Sequence, residues 1–292
     1  MGITSTTIPL QINEVNKALR TALWNGLGTY YFPSETDYLL WSRLEVRGMM
    51  PGDRTTLHQL WIGYLNWPYD ELGDWACVKN TLKDYFFSCQ WFEVLDLIEF
   101  VGAMTQERVG TRKKAPPLHP FVQYCNDTLA HHNSAYRFVG GLIAPISADH
   151  EIAAVEDAIA AGARSRGLMP IQHHIQRALQ CLADRQSPDY ANSMKEAISA
   201  VEALCKLIAG LPDATLGQAL NAIQKAGTVK LHASLKTGLH SLYSYTCDAD
   251  GIRHALKDDP TADQEDALFM LVTCSAFVNY LVAKAQKAGI TL

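Results

Sequence analysis

The chain carries no broad field of one charge. Its 25 basic and 30 acidic residues leave a net charge of -5 and are spread along the sequence, so the basic face of a dedicated duplex-binding protein is missing and any nucleic-acid contact has to be local. Cysteine pairing signals are also missing. The seven cysteines (Cys77, Cys89, Cys125, Cys181, Cys205, Cys247 and Cys274) are an odd number with no CxxC pair and sit mostly in apolar stretches; they read as reduced, buried thiols. The segment Met1 to Leu10 lacks the charged start and apolar centre of a secretion signal, and with the cysteine usage this makes the cytoplasm the expected location.

The common nucleotide and hydrolase signatures are absent as well: there is no GxxxxGK[ST], no GxGxxG after a strand, no HExxH and no GxSxG. No uninterrupted membrane span occurs. The nearest approach, Leu268 to Ala283, contains Thr273, Ser275 and Asn279 and follows Asp263, Glu265 and Asp266, so a buried core helix is expected there and no membrane partner. Alternating β-branched runs are scarce. What the chain does have, at 48% apolar residues in 292, is enough hydrophobic material for one large or two ordinary domains.

Apolar residues recur three and four apart, the helical period. Leu19, Leu23, Leu27, Tyr30 and Tyr31 share one side of a helix expected over 15–31, and Pro33 ends it. Further helices are expected over 53–64, 72–89, 91–104 and 119–131, separated by Pro51, Pro68, Gly73 and the pair Pro116, Pro117. All six tryptophans (Trp24, Trp41, Trp61, Trp67, Trp75, Trp91) fall in this part, where large aromatics fill a small core more readily than they form a stacking surface. The stretch Gln106 to Pro120, with Arg108, Arg112, Lys113 and Lys114, reads as an exposed loop, either simply solvated or in contact with phosphate.

From Ala135 to Ile146 the sequence is short, apolar and broken by Gly140 and Gly141, which suits a small hairpin or an extended connector. A linking helix follows, with Ser147 and Asp149 as caps and Gly162 as its stop. The second group of helices is expected over 171–184, 190–209, 216–226, 229–246 and 262–287, with Thr215 capping the third. The expected organisation is therefore all-α, with a helical domain over 1–134, a connector and linking helix over 135–169, and a second helical domain over 170–292.

One stretch departs from its neighbours. YSYTCDADGIRHALKDD (Tyr243 to Asp259) places Asp248, Asp250 and Gly251 as a turn between apolar helices and then presents Arg253 beside His254. Arginine can hold a phosphate with two parallel hydrogen bonds and stabilise charge that builds on it, while histidine titrates near neutrality and can move a proton. The structural alternative is that Arg253 pairs with the local aspartates and His254 caps the junction. Tyr243, Tyr245 and Asp248 are supporting substrate-binding candidates by proximity in sequence. The pairs His131–His132 and His173–His174 are adjacent and diverge by about 100° on a helix, unlike the spacing of a zinc site; no metal or other cofactor is expected. Glu196 and Glu202 share a helix but diverge by about 120°, and each is read as structural.

Several segments together resemble a known family. PDYANSMKEAISAVEALCKLI (Pro188 to Ile208), TLGQAL (Thr215 to Leu220), LYSYTCDADGIRHAL (Leu242 to Leu256) and DALFMLVTCSAFVNYL (Asp266 to Leu281) resemble, in order, the carboxy-terminal part of bacterial abortive-infection AbiJ proteins that carry the fourth type of AbiJ amino-terminal domain. INEVNKALRTALWNGL (Ile12 to Leu27), DYFFSCQWFEVLDLIEF (Asp84 to Phe100) and SAYRFVGGLIAPISADHEIAAVEDAI (Ser134 to Ile159) extend the resemblance to the first half. It implies a HEPN-like helical bundle in anti-phage defence, in a superfamily whose active members are metal-independent ribonucleases acting as dimers. The expected partners are thus RNA, a second copy of the chain, and a phage or host trigger. The family's motif, an arginine, a polar residue and a histidine four to six positions after the arginine, is matched at its start by Arg253 and His254. Its second histidine is missing, because positions 257 to 259 read Lys257, Asp258, Asp259. Either His254 moves the proton, or the bundle is a non-catalytic scaffold or sensor.

Overall fold

A computed structural model describes residues 9–32, 59–71, 75–109, 120–227, 229–246 and 262–292. The chain divides into two compact units, Met1–Pro145 and Ile146–Leu292, and both are helical, so the fold is all-α with a single small hairpin among the described residues.

In the first unit, α1 (Lys17–Tyr31), α2 (Trp75–Ser88), α3 (Trp91–Val109) and α4 (Pro120–His131) surround one core. Asn16 starts α1 by accepting from the Leu19 amide at 2.9 Å, satisfying one of the orphan N–H groups at a helix start. Of the helix expected over 53–64, residues 53–58 lie outside the described residues and Gln59–Tyr64 is a π-helical turn. Tryptophan serves the core: Trp24 and Trp61 are buried, and Trp67 and Trp91 pack against the same cluster. Trp41 lies outside the described residues, as do Arg112, Lys113 and Lys114.

The glycine-broken stretch forms a hairpin of β1 (Arg137–Val139) and β2 (Leu142–Ala144), paired Phe138 to Ile143. Gly140 and Gly141 have φ of 57° and 95°, the two positive values a two-residue hairpin turn needs. The hairpin is core, not a free connector, since Phe138 and Ile143 are buried with the helices. Two helix side chains pin it: Asn126 accepts from the Phe138 amide at 2.7 Å, and the Glu99 carboxylate accepts from the Ile143 amide.

The second unit is a bundle of α5 (Asp149–Gly162), α6 (Met169–Ala183), α7 (Tyr190–Ala209) and α10 (Gln264–Lys287), with α8 (Leu216–Ala226) against α7 and α9 (Ala233–Tyr245) against α8. The apolar stripe of α7 (Ala197, Ile198, Val201, Leu204, Cys205) is buried. Ser193 Oγ donates to the Ala178 carbonyl at 2.8 Å, tying α7 to α6, and Asn279 Nδ2 donates to the Ala154 carbonyl at 2.9 Å, tying α10 to α5. α10 is long and apolar enough to cross a membrane by length and composition. Met270, Leu271, Cys274, Phe277, Val278 and Leu281 are nevertheless buried in the bundle.

Two expectations about α5 need correction. Its N-cap is Ala148, with no side-chain cap bond, rather than Ser147 or Asp149. Gly162 is not a left-handed stop but the last residue of the helix, and its role is proximity: a Cβ there would lie 2.4 Å from Gln172 Cβ on α6. α6 begins at Met169, two residues before its expected start, with Pro170 in the first turn, where the missing N–H costs nothing. α9 begins at Ala233, four residues after its expected start, because the His232 side chain accepts from the Ser234 amide and caps it there.

Candidate functional site

The polar stretch singled out in the sequence leaves α9 after Thr246 and returns at Asp263. Arg253, His254 and Asp248 lie outside the described residues, as does Cys247. At the outgoing end Thr246 is fully buried, and its Oγ1 donates to the Tyr243 carbonyl at 2.7 Å. At the returning end Asp263 and Asp266 form a reciprocal capping box, Asp263 accepting from the Asp266 amide at 2.9 Å. This satisfies exposed N–H groups and places carboxylates at the positive end of the α10 dipole.

The two ends meet. Tyr245, 45% exposed, lies near the Asp266 and Asp263 carboxylates. Partial burial raises its phenol pKa, and Asp266 and Asp263 add to the rise by opposing a second negative charge. Tyr190, in the first turn of α7, is raised by burial and by the nearby Glu265 and Asp263. One end of the bundle thus gathers two tyrosines and three carboxylates, an acidic setting that by itself repels phosphate. Tyr243 is half-buried on α9. α9 itself is lightly held: Leu239 is its buried residue, while Leu235 is 39% exposed.

A second grouping was not visible in sequence. His174 Nδ1 lies 2.6 Å from Glu196 Oε2, bridging α6 and α7. Both side chains are partly exposed, at 36% and 25%. Glu202 instead pairs with Lys206 one turn along at 2.7 Å. Reading the two glutamates against each other missed this, because each has its own partner. The available signal was that His174 flanks the buried stripe Ile171, Ile175, Ala178 of α6, and Glu196 the stripe Ala197, Ala200, Val201 of α7, where polar side chains of neighbouring helices meet.

In the first unit a polar cluster has a structural explanation. Arg20 Nη1 donates to the carbonyls of Phe86 and Cys89 at 2.7 and 3.0 Å, closing the end of α2. Glu93 accepts from the Gln90 amide at 2.7 Å and from the Tyr85 hydroxyl, capping α3. Burial and the Glu93 carboxylate push the Tyr85 phenol up to about 12. The buried thiols are inert for the same reason of desolvation: those of Cys205 and Cys274 are pushed up to about 12. Among the described residues no group of three or more His, Cys, Asp or Glu side chains could hold a metal ion.

Compared with known proteins, residues 1–161 match the family model described as AbiJ N-terminal domain 4. The match takes in the whole first unit and α5 up to its last residue. No curated protein and no solved structure matches the chain.

Proposed function

The chain belongs to the AbiJ N-terminal domain 4 family, which associates it with abortive-infection defence, and we propose that it is an effector of that defence whose second unit is a HEPN-like bundle cutting RNA without a metal. Two copies bring their Arg253–His254 junctions together in the cytoplasm. Arg253 donates to the scissile phosphate and stabilises the charge that builds there. His254 takes the 2′-hydroxyl proton or returns one to the leaving oxygen. The observation that carries this reading is the strongly polar stretch Asp248 to Asp259, set in the sequence between the apolar helices α9 and α10, with Tyr245 at the end of the one near Asp263 and Asp266 at the start of the other.

The test is expression of the wild type beside Arg253→Ala and His254→Ala in cells, scoring growth, total RNA integrity and protection from phage. Loss of toxicity and of RNA cleavage in both variants, with protein levels unchanged, is the expected result. Intact RNA in every strain, with Arg253→Ala still protective, refutes it.

A second reading is favoured by two specific observations. The histidine that should follow Arg253 by four to six residues is replaced by Lys257, Asp258 and Asp259, and the anchoring end carries Asp263, Glu265 and Asp266. Both weaken phosphate chemistry. In that reading the bundle is a scaffold or sensor for a phage or host component, and Arg253→Ala leaves protection unchanged.

A further inference from the structure

α10 is apolar on the side that faces solvent as well as on the side that faces the bundle. Its buried residues, among them Ala267, Leu271, Cys274, Val278 and Ala285, belong to the side packed on α5, α6 and α7. The opposite side carries Phe269, Val272, Ala276, Tyr280 and Ala283, which at 100° per residue all lie within about 40° of Ala276. Phe269 is 57% exposed, Ala276 and Ala283 are exposed, and Val272 and Tyr280 are half-buried. By contrast the solvent side of α7 reads Asn192, Lys195, Ser199, Glu202 and Lys206, as a solvated helix face should. No charged residue occurs from Ala267 to Ala283, so the exposed side of α10 is a continuous apolar strip of the kind that marks an interaction surface.

The strip is also self-complementary. Charge stands only at its two ends, Glu265 before it and Lys287 after it, both exposed and on the same face. Neither makes an ion pair among the described residues. From Glu265 through Phe269, Val272, Ala276, Tyr280 and Ala283 to Lys287 the intervals are 4, 3, 4, 4, 3 and 4 residues, the same read in either direction. A second α10 laid antiparallel with the twofold axis at Ala276 therefore meets the first in register. Phe269 of each copy faces Ala283 of the other, Val272 faces Tyr280, and Glu265 faces Lys287. Each large side chain meets a smaller one, and the small Ala276 at the axis permits the close approach of two helices. A parallel pairing would instead set Glu265 against Glu265 and Lys287 against Lys287. A lipid surface fits less well, because the strip has no Lys or Arg along its flanks to reach headgroups.

We propose that the outer face of α10 is a docking surface for a second copy of this chain, paired antiparallel about Ala276. A seam made by one helix pair belongs to the small, transient class of interface, below about 1,200 Å², so the association is reversible and falls in the micromolar range. The contact differs from the one proposed for the Arg253–His254 junctions, since at 1.5 Å per residue the two Glu265 positions stand about 33 Å apart along the pair. It stands whether or not the chain cuts RNA. Where both contacts form, each copy touches two others.

The experiment is sedimentation velocity of the full-length protein from about 1 to 200 µM, with far-UV circular dichroism melting of every variant beside it. Wild type should associate reversibly as concentration rises. Ala276→Arg sets two cations against each other at the axis and should weaken association at least tenfold. Glu265→Lys and Lys287→Glu should each weaken it about five- to tenfold, the scale of two exposed ion pairs turned repulsive. Glu265→Lys combined with Lys287→Glu should return it to within about twofold of wild type, which only an antiparallel pairing of these positions predicts. The charge reversals carry the test if Ala276→Arg lowers the melting midpoint. Arg253→Ala should leave the association unchanged, which separates this contact from the junction contact. A protein monomeric at every concentration, association indifferent to Ala276→Arg, or charge reversals whose effects add instead of cancelling overturns the proposal. So does a monomer that floats with phosphatidylglycerol–phosphatidylcholine vesicles and is released from them by Ala276→Arg, which assigns the face to lipid.

Discussion

Gly162→Ala is the substitution whose effect the structure determines most sharply. An ideal Cβ at this position lies 2.4 Å from Gln172 Cβ and 2.9 Å from Gln172 Cα and N. Two of those three atoms are backbone, so rotating a side chain gives no relief. Carbon atoms pack at about 3.5–4 Å, so α5 and α6 have to separate by about 1 Å along their line of approach. Overpacking of this kind costs about 1–3 kcal/mol. Alanine recovers at most about 1 kcal/mol of helix propensity, and the gain is smaller at the last residue of a helix, leaving a net loss of about 1–2 kcal/mol. For a unit of this size that lowers the melting temperature by about 3–6 °C. Gly238→Ala is the control: in the middle of α9 an added Cβ meets nothing within 4 Å, and the propensity gain of about 0.5–1 kcal/mol stands alone. The assay is thermal or urea unfolding followed by far-UV circular dichroism, which sees both units. Tryptophan fluorescence is measured beside it, because all six tryptophans lie between Trp24 and Trp91 and report on the first unit alone. Gly162→Ala should lower the dichroism midpoint while Gly238→Ala raises it or leaves it in place. A Gly162→Ala protein as stable as wild type would show that the α5–α6 approach is not as close as described.

Three other outcomes follow from the geometry. Thr215→Ala removes the side-chain half of the α8 capping box, in which Thr215 Oγ1 accepts from the Gln218 amide and Gln218 Oε1 from the Thr215 amide; it should cost about 1 kcal/mol in urea unfolding, and Thr215→Ser should recover most of that. Burial, then the neighbouring His131, hold the His132 pKa below the usual 6.5, so the unfolded chain takes up this proton first. Stability should therefore fall as pH drops below about 6.5 and level off once the folded-state ring is also protonated; His132→Gln should flatten that limb, and an unchanged acid limb would refute the assignment. In native protein a thiol reagent should modify the exposed Cys77 quickly, while Cys205 and Cys274, buried and pushed up to about 12, react on the timescale of unfolding; peptide mapping of the labelled sites decides it.

The division between what could be read locally and what could not is visible residue by residue. Thr215 as the cap of α8, Tyr190–Ala209 as the extent of α7 and the Gly140–Gly141 hairpin turn were legible because their causes lie within four residues: a side chain reaching the third amide, a left-handed glycine at Gly210 with φ of 67°, two glycines in succession. The all-α fold was legible for the same reason, since the 3.6-residue period of apolar positions is a property of the chain alone. Reading failed where the cause is remote. Gly162 looked like a helix stop, and only the passage of Gln172 beside it shows why no side chain fits. His174 and Glu196 are 22 positions apart, and Glu99 meets Ile143 across 44; nothing within either partner's own neighbourhood announces the other.

The polar stretch that carries Arg253 and His254 shows both sides at once. Sequence alone determined that it is polar, that it joins two apolar helices and that it lacks a second histidine. Only the folded chain brought Tyr245 to Asp266 and gathered Asp263, Glu265 and Tyr190 at the same end of the bundle. The physical reason is that hydrophobic periodicity specifies which face of each helix is buried, whereas the polar groups that meet at the rim depend on how the helices pack against one another, a relation between segments that no single segment contains.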